Sequence, residues 1–251
     1  MISEIDHSGK IYTVNLESGI DLSIQNNFSG DAPTFFNSNP PTIRPAQSKN
    51  FIGDIGQGGS CNVPITMLNI HCTGTHTESI GHINDSGVRV VDVCPKGLMT
   101  ALLITVIPRK INETNDSYHS KLSNELVITR ESIQKQLTAN VEGLILRTLP
   151  NNQSKKSRDY DAEPAPFFTN DAIDYIHDAG IKHLLVDIPS VDKADDGGML
   201  ENHRRFFKNG ATISELLFIP DITPDGFGFL QIQIPNWGLD VVPSRPIFYP
   251  V

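Results

Sequence analysis

The chain has 251 residues, of which 38% are hydrophobic and 20% charged, and its net charge is -9. That balance describes an ordinary soluble globular protein and excludes the basic footprint needed to displace counterions from nucleic-acid phosphates. No apolar run approaches the roughly 20 residues of a membrane-crossing helix, and residues 1–10 are polar, so the expectation is a cytoplasmic protein without a membrane or nucleic-acid partner. Cys61, Cys72 and Cys94 are an odd number in a long chain, which argues for free thiols rather than a disulfide framework.

In chain order, residues 10–24 alternate apolar and polar side chains around Glu17-Ser18-Gly19, a pattern that predicts a hairpin across that turn. Residues 25–60 are rich in Asn, Pro and Gly and read as a loop, pinned by Phe28, Phe35, Phe36 and Phe51. Residues 64–70 and 88–93 read as strands on either side of an unusual polar cluster. Residues 98–107 form a nearly continuous apolar run, as in a strand buried on both faces. After an exposed loop over 110–125, Thr129 caps a predicted helix carrying Ile133 and Leu137, followed by a strand at 144–149.

The pattern then repeats: a polar loop over 151–166, N-cap candidates at Thr169-Asn170-Asp171, a helix over 172–179 stopped by Gly180, and a strand at 184–188. Residues 211–219, 227–234 and 240–248 return to strand character, with prolines marking turns and edges. Alternating helices and strands imply an α/β fold with a mixed sheet and flanking helices, and no linker divides residues 1–251 into more than one domain.

The chemistry concentrates between His71 and His82, which holds three of the eight histidines together with Cys72 and Glu78. On an extended strand Cys72, Gly74, His76 and Glu78 share a face, with Gly74 leaving room for an ion or substrate. His71 turns away on that geometry unless a bulge shifts the register. Thiolate, imidazole and carboxylate converging in this way suit a transition metal.

The run Gly74-Thr75-His76-Thr77-Glu78-Ser79-Ile80-Gly81-His82 resembles the signature His-x-Gly-Thr-His-x-Asp-x-Pro-x-His of the cyclase-like metal-dependent hydrolases, which include bacterial kynurenine formamidase and isatin hydrolase. Asp21-Leu22-Ser23, the segment from Leu185 to Asp192 and Pro243-Ser244-Arg245-Pro246 are similar to further elements of that family, in the same order. The resemblance implies a compact domain of the swivelling β/β/α type, assembled as a homodimer or homotetramer. It also implies hydrolysis of a small amide, formamide, lactam or ester by water activated on one or two divalent ions.

Carried over by position, His76 and Glu78 match metal ligands, His203 and Glu215 match the distal pair, and His82 matches the general acid/base. Cys72 stands where the first ligand is normally His. A thiolate there favours zinc over manganese; otherwise His71 fills the place, or the site holds a single ion. The apolar and aromatic residues of the 28–51 loop and Trp237 are candidates for lining a pocket, although ordinary packing explains them better and no role in substrate choice is assigned to them. A non-catalytic protein that binds metal or a small molecule on the same fold is the alternative, supported by the departure at Cys72. A thiol enzyme built on Cys72 is disfavoured, because its neighbours resemble co-ligands rather than an activating base.

Overall fold

A computed structural model describes every residue except Ser29 and Asn209. Its organising element is the strand Met99–Val106, which forms because its apolar residues serve two faces at once. Leu102, Ile104 and Val106 enter one hydrophobic cluster, while Met99, Ala101 and Leu103 enter another. Gly143–Thr148 pairs with it in parallel, followed by His183–Val186 and Thr212–Glu215, also parallel. Helices Arg130–Gln134, Asn170–Asp178 and Glu201–Phe206 make the crossovers between successive strands, as parallel pairing requires. The caps follow the sequence expectation: Thr129 Oγ1 accepts from Ser132 N, Thr169 Oγ1 accepts from Ala172 N, and Gly180 takes a positive φ of 83° after the last turn.

Antiparallel strands complete a nine-stranded mixed sheet. His76–Glu78 and then Val241–Pro243 extend the edge beyond Thr212–Glu215. On the other side Gly226–Gln233, Arg245–Pro250 and Ile20–Asp21 follow Met99–Val106. The helices and their cluster around Phe168, Ile173 and Phe206 cover one face of the sheet. Leu22, Leu103, Ile145 and Phe248 form the core on the other. This is the expected α/β architecture with a mixed sheet and flanking helices.

Three local expectations change. The hairpin forms one strand earlier: Ile2–His7 pairs with Lys10–Asn15, because Ser8 and Gly9, at φ 55° and 81°, make the tight two-residue turn that matches strand twist. The Glu17-Ser18-Gly19 turn instead hands the chain to the main sheet at Ile20. Within residues 88–93, Val90–Val93 closes into a helical turn in which Cys94 N donates to Val90 O at 2.8 Å. The 25–60 segment is not all loop, since Thr42–Pro45 pairs with Pro64–Met67 and Gln47–Ser48 with Phe51–Ile52. These short ribbons form an arm on which Ile43, Ile65 and Met67 are exposed. Among the described residues, no helix is long and apolar enough to cross a membrane.

The sheet also sets an acid sensitivity. His183, the first residue of its strand, is buried with Nδ1 2.8 Å from Thr212 Oγ1, and burial pushes its pKa down to about 4. An unfolded His titrates near 6.5, so between pH 6.5 and 4 the unfolded chain binds the extra proton and stability falls as pH falls. The full effect is about 3 kcal/mol at 1.36 kcal/mol per pKa unit. Urea unfolding at pH 7 and at pH 4.5 should show that His183→Gln flattens this loss; identical slopes in both chains would contradict it.

Candidate metal centre

Strand pairing fixes the first two donors. His76 lies opposite Glu215, and Glu78 opposite Ile213, so His76 and Glu78 share the face from which Glu215 also projects. The extended geometry stops just before His76, where Cys72 N donates to Asn69 O at 3.2 Å and Thr73 Oγ1 donates to the same carbonyl at 2.6 Å. That turn brings His71 back over the strand, placing its Nδ1 3.1 Å from Glu78 Oε2. Gly74 permits the close approach beneath it, since a Cβ there would stand 2.3 Å from Asn26 Oδ1.

The remaining donors arrive from the carboxyl end of the parallel strands, where open α/β sheets place their sites. Glu215 ends its strand, and its Oε1 accepts from Val191 N at 3.0 Å. His203, on helix Glu201–Phe206, lies with Nε2 3.1 Å from Glu78 Oε1 and 3.7 Å from Glu215 Oε1. His76 Nε2 is 3.5 Å from Glu215 Oε2, and His82 Nε2 is 3.8 Å from Glu78 Oε2. His71, His76 and Glu78 form one group of donors within 4.8 Å of one another; Glu78, His82 and His203 form a second.

Tautomers are set from outside. His76 Nδ1 donates to Gly74 O at 3.0 Å, and His203 Nδ1 donates to Asp192 Oδ2 at 2.7 Å. Each ring therefore turns Nε2 to the centre. Asp192 is itself fixed: Tyr118 Oη donates to its Oδ1, and its carboxylate accepts the backbone N–H groups of Asn202 and His203.

The electrostatics are those of a site built for a cation. Glu78 has no solvent exposure, and neither of its oxygens, nor His76 Nε2, makes a hydrogen bond of good geometry; burial pushes the Glu78 carboxyl up, but the His203 and His71 rings 3.1 Å away outweigh it and hold it well below its ordinary range. Burial pushes the Glu215 carboxyl up, and the facing Glu78 adds to that. Burial pulls His203 down, but Glu78, Asp192 and Glu215 outweigh it and raise its pKa well above the ordinary value. Fully buried nitrogen and oxygen atoms without good hydrogen bonds in one cleft cost free energy that a divalent ion removes, and the mixed imidazole and carboxylate set suits such an ion. The imidazole and carboxylate donors fit a divalent metal ion, without the thiolate on which the sequence preference for zinc rested.

The structure thus brings together His76, Glu78, His82, His203 and Glu215. Neither Glu215 nor Cys72 falls in the donor groups found among the described residues, but Glu215 stands 3.5 Å from His76 Nε2 and 3.7 Å from His203 Nε2, whereas Cys72 packs with Ile24, Phe35, Tyr160 and Leu216 and burial pushes its thiol up to about 11. His71 stands in the space that the extended-strand geometry assigned to Cys72. Sequence reasoning missed the separate role of Asp192, which sat within a recognised segment, and it missed Asp240, whose carboxylate reaches His71 and His82 with no motif to mark it.

Comparison with known proteins agrees with this architecture. Residues 20–193 match the family model described as putative cyclase. The chain is 26% identical to kynurenine formamidase of Bacillus thuringiensis strain Al Hakam over 195 residues, covering 78% of this chain and 83% of that one. It is 25% identical to the Bacillus anthracis kynurenine formamidase over the same coverage. Among solved structures, isatin hydrolase A from Labrenzia aggregata superposes with a TM-score of 0.63 at 14% identity, over 92% of this chain and 93% of that one. A potential metal-dependent hydrolase with cyclase activity superposes with a TM-score of 0.60 at 16% identity, over 92% and 97%. With the family model spanning most of its length, the chain belongs to the putative cyclase family.

Proposed function

We propose that the protein is a metal-dependent hydrolase that cleaves a small amide, formamide, lactam or ester. The observation that carries this reading is the pair of Glu78 oxygens without good hydrogen bonds, sealed from solvent among His71, His76, His82 and His203. His71, His76 and Glu78 would hold one ion, and His203 and Glu215, approaching the same carboxylate and His76, would complete its shell or hold a second. Nitrogen and carboxylate donors favour zinc, with manganese the alternative. A bound divalent ion supplies a Lewis acid that polarises the scissile carbonyl and lowers the pKa of water.

The chain's own residues do the rest. Glu215 and His203 are locked by Val191 N and Asp192, so the donors are preorganised before substrate arrives. His82 is 26% exposed at the open side of the cleft, and burial pushes its pKa down to about 4. Its ring is therefore neutral near pH 7, with a lone pair to take a proton from the attacking water and return it to the leaving nitrogen or oxygen. Removing that ring should cost about 100-fold to 10,000-fold in turnover, the usual contribution of a positioned acid/base.

The test is His82→Ala, assayed on N-formylkynurenine, isatin-type lactams and simple esters alongside metal analysis. The expected outcome is metal content equal to that of the parent chain with turnover lost. Metal bound by the parent chain without turnover on any of these substrates would make it a binding protein on the same fold.

The arm supports self-association as part of the same reading. A two-stranded ribbon is marginal alone in water, yet Ile43 is 48%, Ile65 40% and Met67 69% exposed on this one. Packing of the arm on a second copy would remove that surface from water. Light scattering is expected to give a dimer or tetramer, dissociated by Ile65→Lys with Met67→Lys; a monomeric parent chain would refute the assembly.

A further inference from the structure

At the open side of the centre a separate set of donors converges. One ligand atom each from His71, His82 and Asp240 lies within 4.8 Å of the other two. The His71 and His82 side chains are 29% and 26% exposed, and Asp240 is half-buried, whereas Glu78 is sealed. These three residues therefore meet solvent where the buried ligands do not.

Asp240 is held at this place by the fold. Its carbonyl accepts from Ser79 N at 3.0 Å and from Ser79 Oγ at 3.3 Å, and the preceding Leu239 O accepts from Val90 N at 3.0 Å. Gly81 clears the approach: a Cβ there would stand 2.5 Å from Val88 O and 2.9 Å from Asp240 Cβ. Only glycine lets the Ile80–His82 turn and the segment carrying Asp240 pack so closely. The carboxylate is thus brought to the two rings by backbone pairing and by a missing side chain.

We propose that His71, His82 and Asp240 form a separate, solvent-facing divalent-cation site whose occupation takes His82 out of proton transfer. Two imidazoles and one carboxylate are a donor set suited to zinc, with the remaining position open to water. His71 presents Nδ1 to Glu78, so Nε2, which carries the ring proton when Nδ1 holds the inner ion, releases that proton to solvent on binding at the outer site and leaves His71 as a bridging imidazolate. Exposure makes this site weaker than the inner one, because solvent screens its single carboxylate while Glu78 and Glu215 act from the interior. A ring nitrogen whose lone pair is given to a cation cannot accept a proton, so filling the outer site and acid/base action by His82 exclude each other. Excess metal then inhibits. That consequence rests on the hydrolase reading, whereas cation binding at the outer site does not.

Zinc titration by equilibrium dialysis, continued after the inner centre is loaded, tests the binding. The expected result is one further, weaker equivalent that Asp240→Asn weakens at least about tenfold while leaving the tight class unchanged, and that Asp240→Glu retains. Gly81→Ala, which displaces Asp240, should weaken the same class, with thermal melts confirming that each variant is folded. A parent chain without the weaker class, or an unchanged affinity in folded Asp240→Asn, overturns the site. In parallel, turnover should fall as the weaker class fills, and the fall should require about tenfold more zinc in Asp240→Asn. Filling without a fall in turnover overturns the link to His82. An Asp240-dependent weaker class in a chain that hydrolyses nothing supports the outer site and counts against the hydrolase reading alone.

Discussion

Glu78→Gln is expected to lower metal affinity by about two orders of magnitude or more and to abolish hydrolysis, while the metal-free chain remains folded. Loss of even an outer partner of a metal ligand typically costs 10-fold to 100-fold, and Glu78 is closer to the centre than any such partner. Its oxygens lie 3.1 Å from the rings of both His71 and His203, and among the described residues no other side chain joins both donor groups that contain a buried carboxylate. Glutamine keeps the shape but replaces one oxygen with an amide nitrogen that has no lone pair to give. The same change takes from the buried His203 ring the carboxylate that offsets its burial, so the metal-free variant should melt lower than the parent while remaining folded. Cys72→Ala serves as the contrast: it should retain its metal, because the thiol packs in an apolar cluster and joins none of the donor groups found among the described residues. Elemental analysis after dialysis decides between them. Full metal in Glu78→Gln, or loss of metal in Cys72→Ala, would refute this assignment of ligands.

A pH dependence of loading follows from the same charges. Glu78, Asp192 and Glu215 hold the His203 pKa well above its ordinary value against the pull of burial, so the metal-free ring carries a proton near neutrality. A cation that takes His203 Nε2 must displace that proton, and affinity therefore rises with pH.

The elements that carry the centre were legible where burial is two-sided or periodic. Residues 98–107 read as a strand sealed on both faces, and Met99–Val106 is that strand. The spacing of His76 and Glu78 needed only the period of two within a three-residue strand. What failed was the extension of that period back to Cys72, because the bonds from Cys72 N and Thr73 Oγ1 to Asn69 O close a turn. Such a turn leaves little trace in composition, yet it exchanges the residues on the two faces and puts His71 in the centre. Asp240 was illegible for another reason: it comes to His82 across 158 residues of chain through pairing at Ser79 and Val90, and no local pattern encodes that contact.

The segment from Leu185 to Asp192 read in sequence as one motif, but its two aspartates do different work, and the larger stability effect belongs to Asp187. This carboxylate is fully buried; it accepts from Lys155 Nζ at 2.7 Å, from Thr148 Oγ1 at 2.8 Å and from Thr148 N at 2.9 Å. Burial pushes the Asp187 carboxyl up and Lys155 down, and each partner then opposes the shift. Both charges cost desolvation, so the intact pair adds little net stability, yet removing one partner leaves the other buried and uncompensated. Asp187→Ala should therefore cost about 3 to 5 kcal/mol at pH 7 by urea unfolding. Asp187→Leu combined with Lys155→Met should recover most of that loss, since neither charge then remains to be solvated. The damage should also reach the site: four residues beyond Asp187, Val191 N holds Glu215, and Asp192 holds His203. Asp187→Ala should accordingly bind metal more weakly than the parent even where it is fully folded. A loss below about 1 kcal/mol, typical of an exposed ion pair, would show that Lys155 escapes to solvent and that Asp187 does not anchor this segment.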